Sequence, residues 1–173
     1  MKEETIDRNY LEIKSINALI ESISPRLECS INLVKPDNFQ INKFFYKNVG
    51  KKHSWTDRLA WSEQNWIRYS SDPKVQTYIL KVKNDLAGYF ELIFHLGLKE
   101  IEIAYFGLLE EYQNKKLGSF LLSSAIKNSF FNICFYFFFR NIFNPLFFSP
   151  SQSINPVMFF SNILIKKFVK LKI

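Results

Sequence analysis

Hydrophobic and polar positions follow two different periods in the middle of the chain, and each period predicts one element. Between residues 100 and 105, Glu100, Glu102 and Ala104 alternate with apolar residues, as on a strand with one buried face. From residue 116 onward the apolar positions recur every three or four residues, as on one face of a helix; they are Leu117, Leu121, Leu122, Ala125 and Ile126. The pattern therefore predicts a strand, a short loop and an amphipathic helix over residues 100–128.

Two more strands are predicted immediately upstream. Apolar-rich segments at residues 77–83 and 86–95 flank Asn84-Asp85, a residue pair that favours a tight turn. A second turn around Gly97 leads into the strand that begins at Glu100. Because short turns join antiparallel neighbours, the sequence predicts three consecutive antiparallel strands ahead of the loop and the helix.

The loop between the last strand and the helix reads Gln113-Asn114-Lys115-Lys116-Leu117-Gly118. A helix N-terminus presents unpaired N–H groups and the positive end of the helix dipole, and both favour a phosphate group. The helix also begins without a bulky side chain at the sixth position, Gly118. The segment therefore indicates a phosphate-bearing cofactor.

The order strand, Gln-x-x-x-x-Gly, helix resembles the acetyl-CoA-binding core of the GNAT N-acetyltransferases, over residues 10–129. In that family the loop usually reads Gln/Arg-x-x-Gly-x-Gly/Ala; Gln113 and Gly118 match, and Lys116 stands where the middle glycine is common. A lysine fits this position if its φ stays negative, and its charge favours a nearby pyrophosphate. The resemblance implies an α/β (α+β) fold, with a mixed, mostly antiparallel sheet flanked by helices, and acetyl-CoA as co-substrate.

The resemblance also implies an N-acetyltransferase that moves an acetyl group to an amine, either of a small molecule or of a peptide. Backbone N–H groups would hold the pyrophosphate; they belong to Gln113, Asn114, Lys115, Lys116, Leu117, Gly118 and Ser119. The thioester carbonyl would be polarised where family strands splay or bulge, here at Phe106, Gly107, Leu108 and Leu109. An ordinary strand irregularity explains Gly107 equally well.

The reaction needs a base, because an alkylammonium group with a pKa near ~10.4 is mostly protonated at neutral pH. Glu102 is the first candidate, since it lies on the predicted strand opposite Ile101 and Ile103, and family members often place a glutamate near this position. The alternative is a solvated glutamate on the polar face of a half-buried strand. Glu91 is the second candidate base.

The acceptor amine is expected beside Trp55, Asp57 and Arg58, because this segment is similar to the helical region that lines the acceptor side of the cleft in one GNAT subgroup. Asp57 and Arg58 also have two structural interpretations. They pair with each other, or they cap a helix that contains Trp61 and Trp66. The identity of the acceptor stays open, because one fold serves many acceptors.

Composition narrows the class of protein. The net charge is +7, but the first 129 of the 173 residues hold 18 basic and 16 acidic side chains, so the basic character belongs mainly to the tail. The aromatic residues near the lysines recur at helical spacing, which favours core packing, and we expect no nucleic-acid partner. Two cysteines and two histidines lack ligand spacing, so neither a metal site nor a disulfide framework is expected. The N-terminus shows no secretory signal, which makes the cytoplasm the expected compartment.

Residues 130–173 differ from the rest of the chain, because they hold 12 of the 19 phenylalanines, 5 basic residues and no acidic residue. We therefore expect an acetyltransferase core over residues 1–129 and an atypical Phe-rich basic tail over residues 130–173, truncated or scrambled relative to the family, with residues 130–139 as the next strand. Three explanations stay open: a shifted reading frame, a divergent native ending, and a membrane segment over residues 130–148. Arg140 and Pro145 argue against the membrane segment, and we expect no membrane partner. The alternative function is an inactive GNAT-like remnant, associated with a membrane through this tail.

Overall fold

The computed structural model describes residues 9–98, 100–143 and 163–168. These residues form, in chain order, β1 (Asn9–Ile13), β2 (Cys29–Leu33), α1 (Phe39–Gly50), α2 (Glu63–Ser70), β3 (Val75–Val82), β4 (Asp85–His95), β5 (Glu100–Leu108), α3 (Leu117–Phe143) and β6 (Ile163–Phe168). Short 3₁₀ turns lie at Ile16–Ala18 and Glu110–Tyr112.

An antiparallel sheet with the strand order β2-β3-β4-β5 forms the framework. β3 and β4 are joined by a two-residue turn at Lys83 and Asn84, because Val82 pairs with Asp85. Lys83 has a φ of +56°, a conformation that two-residue hairpin turns favour. The three predicted strands are confirmed, and the turn between the first two lies one residue earlier than predicted.

The two faces of the sheet pack against different helices. α3 covers one face, called here the α3 face, where Leu117, Leu121 and Ala125 pack with apolar residues of the strands. α1, α2 and the linker between them (residues 51–62) cover the other face, called here the α1–α2 face. Its core is largely aromatic and contains Phe45, Tyr46, Trp55, Trp66, Tyr89 and Tyr105. The expected mixture of an antiparallel sheet and flanking helices is therefore confirmed.

β5 carries a bulge at Ala104. Leu92 pairs with Ile103 and Glu91 pairs with Tyr105, so the strand has one extra residue relative to β4. Ala104 and Tyr105 consequently both belong to the core of the α1–α2 face. The alternation predicted through residue 105 breaks here.

α3 continues through residue 129 to Phe143, so the strand predicted at residues 130–139 is wrong. The apolar stripe of the helix extends into this region, because Ile126 and Phe130 are both buried in the core of the α3 face. Polar side chains in the same stretch are satisfied within the helix; for example, Ser129 Oγ donates to the carbonyl of Ala125 at 2.8 Å. A continuous apolar run suits a buried helix as well as a buried strand, and packing on the sheet decides between them.

Part of the C-terminal tail forms a strand that the sequence analysis did not predict. β6 pairs with β1 in antiparallel register, for example Ile165 with Leu11, and it also lies against β5. Among the described residues, no helix has the length and apolar character needed to cross a membrane. Residues 144–148, the end of the candidate membrane segment, lie outside the described residues.

Candidate active site

The loop between β5 and α3, residues 113–119 with the first turn of the helix, forms a platform at one end of the sheet. After Leu108 the chain makes the 3₁₀ turn at Glu110–Tyr112 and then enters α3. Leu117, the first residue of α3, is fully buried, which anchors the start of the helix in the core. The side-chain amide of Gln113 lies 3.5 Å from the carbonyl oxygen of Leu108, at the long limit of a hydrogen bond. The predicted order of strand, loop and helix is confirmed here.

Lys116 adopts a left-handed backbone conformation with a φ of +59°, and Asn114 has the same φ. The expectation of a negative φ at Lys116 is therefore wrong. Glycine reaches this conformation without a steric penalty, which gives a physical reason for the glycine that is common here in the resembling family. A lysine in its place costs about 1–2 kcal/mol.

The platform offers positive charge and accessible backbone. Lys115 and Lys116 are exposed, and the first turn of α3 contains no acidic residue. A Cβ added at Gly118 would meet no atom closer than 3.8 Å, so there is space beside the helix start. Ser119 Oγ donates to the carbonyl of Lys116 and accepts from the hydroxyl of Ser22, both at 3.1 Å. These residues fit a pyrophosphate, whose charge the lysines and the helix dipole would offset.

The last residues of β5 direct their backbone N–H groups to two sides. The N–H of Leu109 donates to a carbonyl of β4 at 2.9 Å. Because N–H groups alternate along an antiparallel strand, those of Phe106 and Leu108 point away from β4. Gly107 has a packing explanation, since a Cβ at this position would come within 2.3 Å of the side chain of Val49 in α1.

Glu102 lies on β5 on the face opposite Ile101 and Ile103, as predicted. Its Oε2 atom is 2.8 Å from Nε2 of His95, the last residue of β4. Both side chains reach solvent, with exposed fractions of 18% for Glu102 and 33% for His95. A carboxylate that has access to solvent and a nearby imidazole can accept a proton, so this geometry suits a base.

Glu91, the second candidate base, is fully buried on β4. Its Oε1 accepts a hydrogen bond from Nδ2 of Asn42 at 2.7 Å, and its Oε2 accepts from the hydroxyl of Tyr69 at 2.7 Å and from Nη1 of Arg58 at 3.1 Å. These donors offset the cost of burying a carboxylate. Their number and the burial of the carboxylate favour a structural role for Glu91.

Arg58 lies in the α1–α2 linker with only 5% of its surface exposed. Its guanidinium carbon is 3.8 Å from the ring centroid of Tyr69 and 4.1 Å from that of Tyr105. Burial by itself would lower the pKa of Arg58, but the carboxylate of Glu91 and the two phenols raise it above its ordinary value. Arg58 therefore joins the linker to β4, and its ion-pair partner on that strand is Glu91.

Asp57 is exposed and accepts hydrogen bonds from two phenols, Tyr46 at 2.9 Å and Tyr105 at 2.5 Å. Burial raises the pKa of Tyr46 to about 12 and that of Tyr105 still further, and the hydrogen bonds to Asp57 add to both shifts. The helix cap predicted for Asp57 is wrong, because Ser62 caps α2. Trp55 is buried and packs edge-on against the ring of Tyr105 at 4.9 Å. The linker is thus fixed to the sheet, with Asp57 at its solvent-facing side.

Three residues that contact Glu91 or Arg58 were not predicted as site residues from the sequence: Asn42, Tyr69 and Tyr105. They lie on α1, α2 and β5, and only the tertiary structure brings them together around Glu91 and Arg58. Among the side chains that the structure describes, no group of three or more potential metal ligands is present.

The model of the acetyltransferase (GNAT) family matches residues 34–136 of this chain. The chain therefore belongs to the GNAT acetyltransferase family. The matched region contains α1, α2, the strands β3 to β5, the platform and the first part of α3. No curated protein matches the sequence.

One solved structure agrees with this assignment of the fold, and two others with lower TM-scores are similar to parts of the chain. A GCN5-related N-acetyltransferase from Kribbella flavida has a TM-score of 0.50 and 13% sequence identity, and the match covers 71% of this chain and 43% of that one. The PaiA N-acetyltransferase from Thermoplasma acidophilum in complex with coenzyme A has a TM-score of 0.44 and 16% identity, with 80% of this chain and 99% of that one covered. An aminoglycoside acetyltransferase from an uncultured soil metagenomic sample has a TM-score of 0.49 and 6% identity, with 60% and 71% covered. Identities this low inform on the fold and not on the acceptor.

Proposed function

We propose that this protein is an acetyl-CoA-dependent N-acetyltransferase that transfers the acetyl group to an amine. The proposal rests on the platform of residues 113–119, where two exposed lysines come directly before the accessible start of α3. This platform lies within the region that matches the family. The presence of this platform favours an active enzyme over an inactive GNAT-like remnant.

The donor would bind along the platform and the end of β5. Its pyrophosphate would contact the backbone N–H groups of Asn114, Lys115, Lys116, Leu117, Gly118 and Ser119, because the N–H of Gln113 already donates to the carbonyl of Glu110 at 3.1 Å. Within the stretch from Phe106 to Leu109, the N–H of Leu108 points away from β4, and we propose it as the donor to the thioester carbonyl. Leu109 donates to β4 and Gly107 serves the approach of α1.

The base would be Glu102, and it would act through water. At about 3.3 Å per residue, the six residues from Glu102 to Leu108 span roughly 20 Å of strand, less a few ångströms for the bulge. The reacting groups and bridging water would lie between them. The partly exposed carboxylate is compatible with such a path.

The acceptor would be a small-molecule or peptide amine that approaches the α1–α2 face. Asp57 is the exposed member of the predicted acceptor residues, so its carboxylate is suited to contact an ammonium group. Trp55 and Arg58 are buried, and they would shape the site by holding the linker against β4 and β5. The charge of Asp57 favours a cationic amine as substrate.

Calorimetry with acetyl-CoA tests the donor site. We expect saturable binding by the wild-type protein and at least a ~10-fold weaker affinity for Lys116→Glu, because a like charge would face the pyrophosphate. Lys83→Glu is the matched control, since Lys83 is also exposed and has a φ of +56° but lies in the β3–β4 turn. Absence of binding to folded wild-type protein, or equal losses in both variants, would contradict the proposal. Release of coenzyme A thiol with spermidine, sisomicin and a peptide with an N-terminal alanine then tests transfer.

A further inference from the structure

We propose that His95 is a positioning residue for Glu102 and that it passes to solvent the proton that Glu102 takes from the acceptor amine. The inference rests on the proposed function and adds to it a residue from a second strand. The inference is based on the 2.8 Å contact between His95 Nε2 and Glu102 Oε2, and on the greater solvent exposure of the His95 side chain.

The contact is a consequence of strand register. His95 stands opposite Glu100, and Glu102 stands opposite Ile93, so His95 and Glu102 are diagonal neighbours on the α1–α2 face. Both belong to the paired ends of β4 and β5, where the backbone ladder fixes their Cα positions. Ile93, which stands opposite Glu102, packs against the core of the α1–α2 face, so this pair lies on the same face as the predicted acceptor site.

The chemistry requires a path for one proton in each turnover. An alkylammonium group must lose a proton, to Glu102 through water, before its nitrogen becomes a nucleophile. The nitrogen then forms the C–N bond as the C–S bond breaks, and one of its two remaining protons ends on the released thiol. Each turnover therefore leaves one proton on Glu102 in addition to the amide and the thiol, and this proton must leave before the next cycle.

His95 is the group that the geometry offers for this step. Its side chain is 33% exposed, against 18% for Glu102, so the imidazole connects the carboxylate with solvent. With the ring proton on Nδ1, Nε2 accepts the proton from Oε2 of protonated Glu102, and Nδ1 then releases its own proton to solvent. The Nε2–H that results donates to Oε2 and holds the carboxylate in one orientation, until exchange of the ring protons with solvent restores the first tautomer. Imidazole is the side chain best suited to take up and release protons near neutral pH.

Other ionisable groups surround this face of the sheet and enter any pH dependence. Glu100 stands directly opposite His95 on β5. Glu91 is farther along β4 and is paired with Arg58. The remaining groups come from the linker, α1, α2, β5 and the loop between α2 and β3. They are Asp57, Tyr46, Tyr69, Tyr105, Asp72 and Lys74.

Three variants test the role of His95. His95→Phe removes both the hydrogen bond and the proton carrier, whereas His95→Gln keeps an amide N–H that can orient Glu102. Tyr89→Phe is the control, because the hydroxyl of this buried residue on the same face has no hydrogen-bond partner among the described atoms. Thiol release would be measured from pH 6 to 9 with spermidine, sisomicin and the alanine peptide, alongside calorimetry with acetyl-CoA and thermal unfolding.

We expect His95→Phe to lower kcat by at least ~10-fold, with acceptor KM and the Kd for acetyl-CoA nearly unchanged. His95→Gln should recover part of this loss, and free imidazole in the buffer should raise its rate further, which a structural role would not explain. A kcat for His95→Phe within twofold of wild type at every pH would overturn the inference and leave the proposed function intact. An equal loss in Tyr89→Phe would also overturn it. Wild-type protein that binds acetyl-CoA but releases no thiol with any probe would overturn the proposed function, and this inference with it.

Discussion

The α3 face of the sheet is packed with aliphatic and aromatic carbon, whereas the α1–α2 face, built on the same strands, encloses a carboxylate, a guanidinium and several phenols. On β4 the two faces alternate: Leu92 points to α3 and Glu91 to α1 and α2. The buried charges on the α1–α2 face have compensating partners, as in the contacts of Glu91 with Asn42 and Arg58. Nε1 of Trp55 and the hydroxyl of Tyr89 on this face have no hydrogen-bond partner among the described residues.

The two faces of the sheet therefore hold different parts of the molecule in place. The α3 face fixes the start of α3, and with it the platform, through contacts that depend on shape and apolar area. The α1–α2 face fixes the linker that carries Asp57 through hydrogen bonds and charge, which depend on direction and on pH. Substitutions and pH should therefore act differently on the two faces.

Alkaline pH should have the largest effect, through the α1–α2 face. The folded pKa values of Tyr46, Tyr69, Tyr89 and Tyr105 are raised, mainly by burial. The unfolded chain releases these protons above pH 10 while the folded protein keeps them, so stability is fully present below pH 10 and falls as the pH rises. Each such tyrosine lowers the free energy of unfolding by about 1.4 kcal/mol per pH unit above 10.

We therefore expect the circular dichroism of the folded state to disappear between about pH 10 and 12, with tyrosinate absorbance rising in the same step. Gradual ionisation of all tyrosines in a chain that stays folded would contradict this expectation.

Glu91→Leu should cost about 3–5 kcal/mol of unfolding free energy, because it leaves the guanidinium of Arg58 buried without its partner. Urea denaturation measures the loss. The double variant Glu91→Leu/Arg58→Met should be more stable than the single variant, since it removes the uncompensated charge as well. A single variant that loses less than about 1 kcal/mol would show that the network contributes little to stability.

Leu121→Ala should cost roughly 3 kcal/mol, because it opens a cavity in the fully buried core of the α3 face. Leu59→Ala in the exposed part of the linker is the control and should change stability by less than about 0.5 kcal/mol. The loss at residue 121 should not depend on pH between 5 and 9. A clear pH dependence would argue against a purely apolar α3 face.

Lys116→Gly should have the smallest effect on stability, a gain of about 0.5–1 kcal/mol. Relief of the left-handed conformation exceeds the extra flexibility that glycine gives to the unfolded chain. Lys83→Gly has nearly the same starting φ and should gain a similar amount. Calorimetry should separate the pair, because only the change at residue 116 removes a charge from the platform and weakens acetyl-CoA binding.

Much of the fold was predictable from local patterns. The two-residue period of β5, the helical stripe from Leu117 and the turn residues between strands each reflect contacts within a few residues of chain. The same local patterns placed Glu102 on the polar side of its strand and Gly118 in the first turn of α3. The platform could be predicted because a strand end, a short loop and a helix start are adjacent in sequence.

Tertiary structure decided the rest. The bulge at Ala104 depends on the pairing of β5 with β4, and the helix over residues 130–143 depends on an apolar surface to pack against. The partners of Glu91 come from positions as far as 49 residues away, and no local pattern encodes such a meeting. Sequence by itself thus determined the elements and the candidate donor loop, because these follow from neighbouring residues. Packing decided which charged groups face each other, because compensation of a buried charge is a property of the assembled sheet and helices.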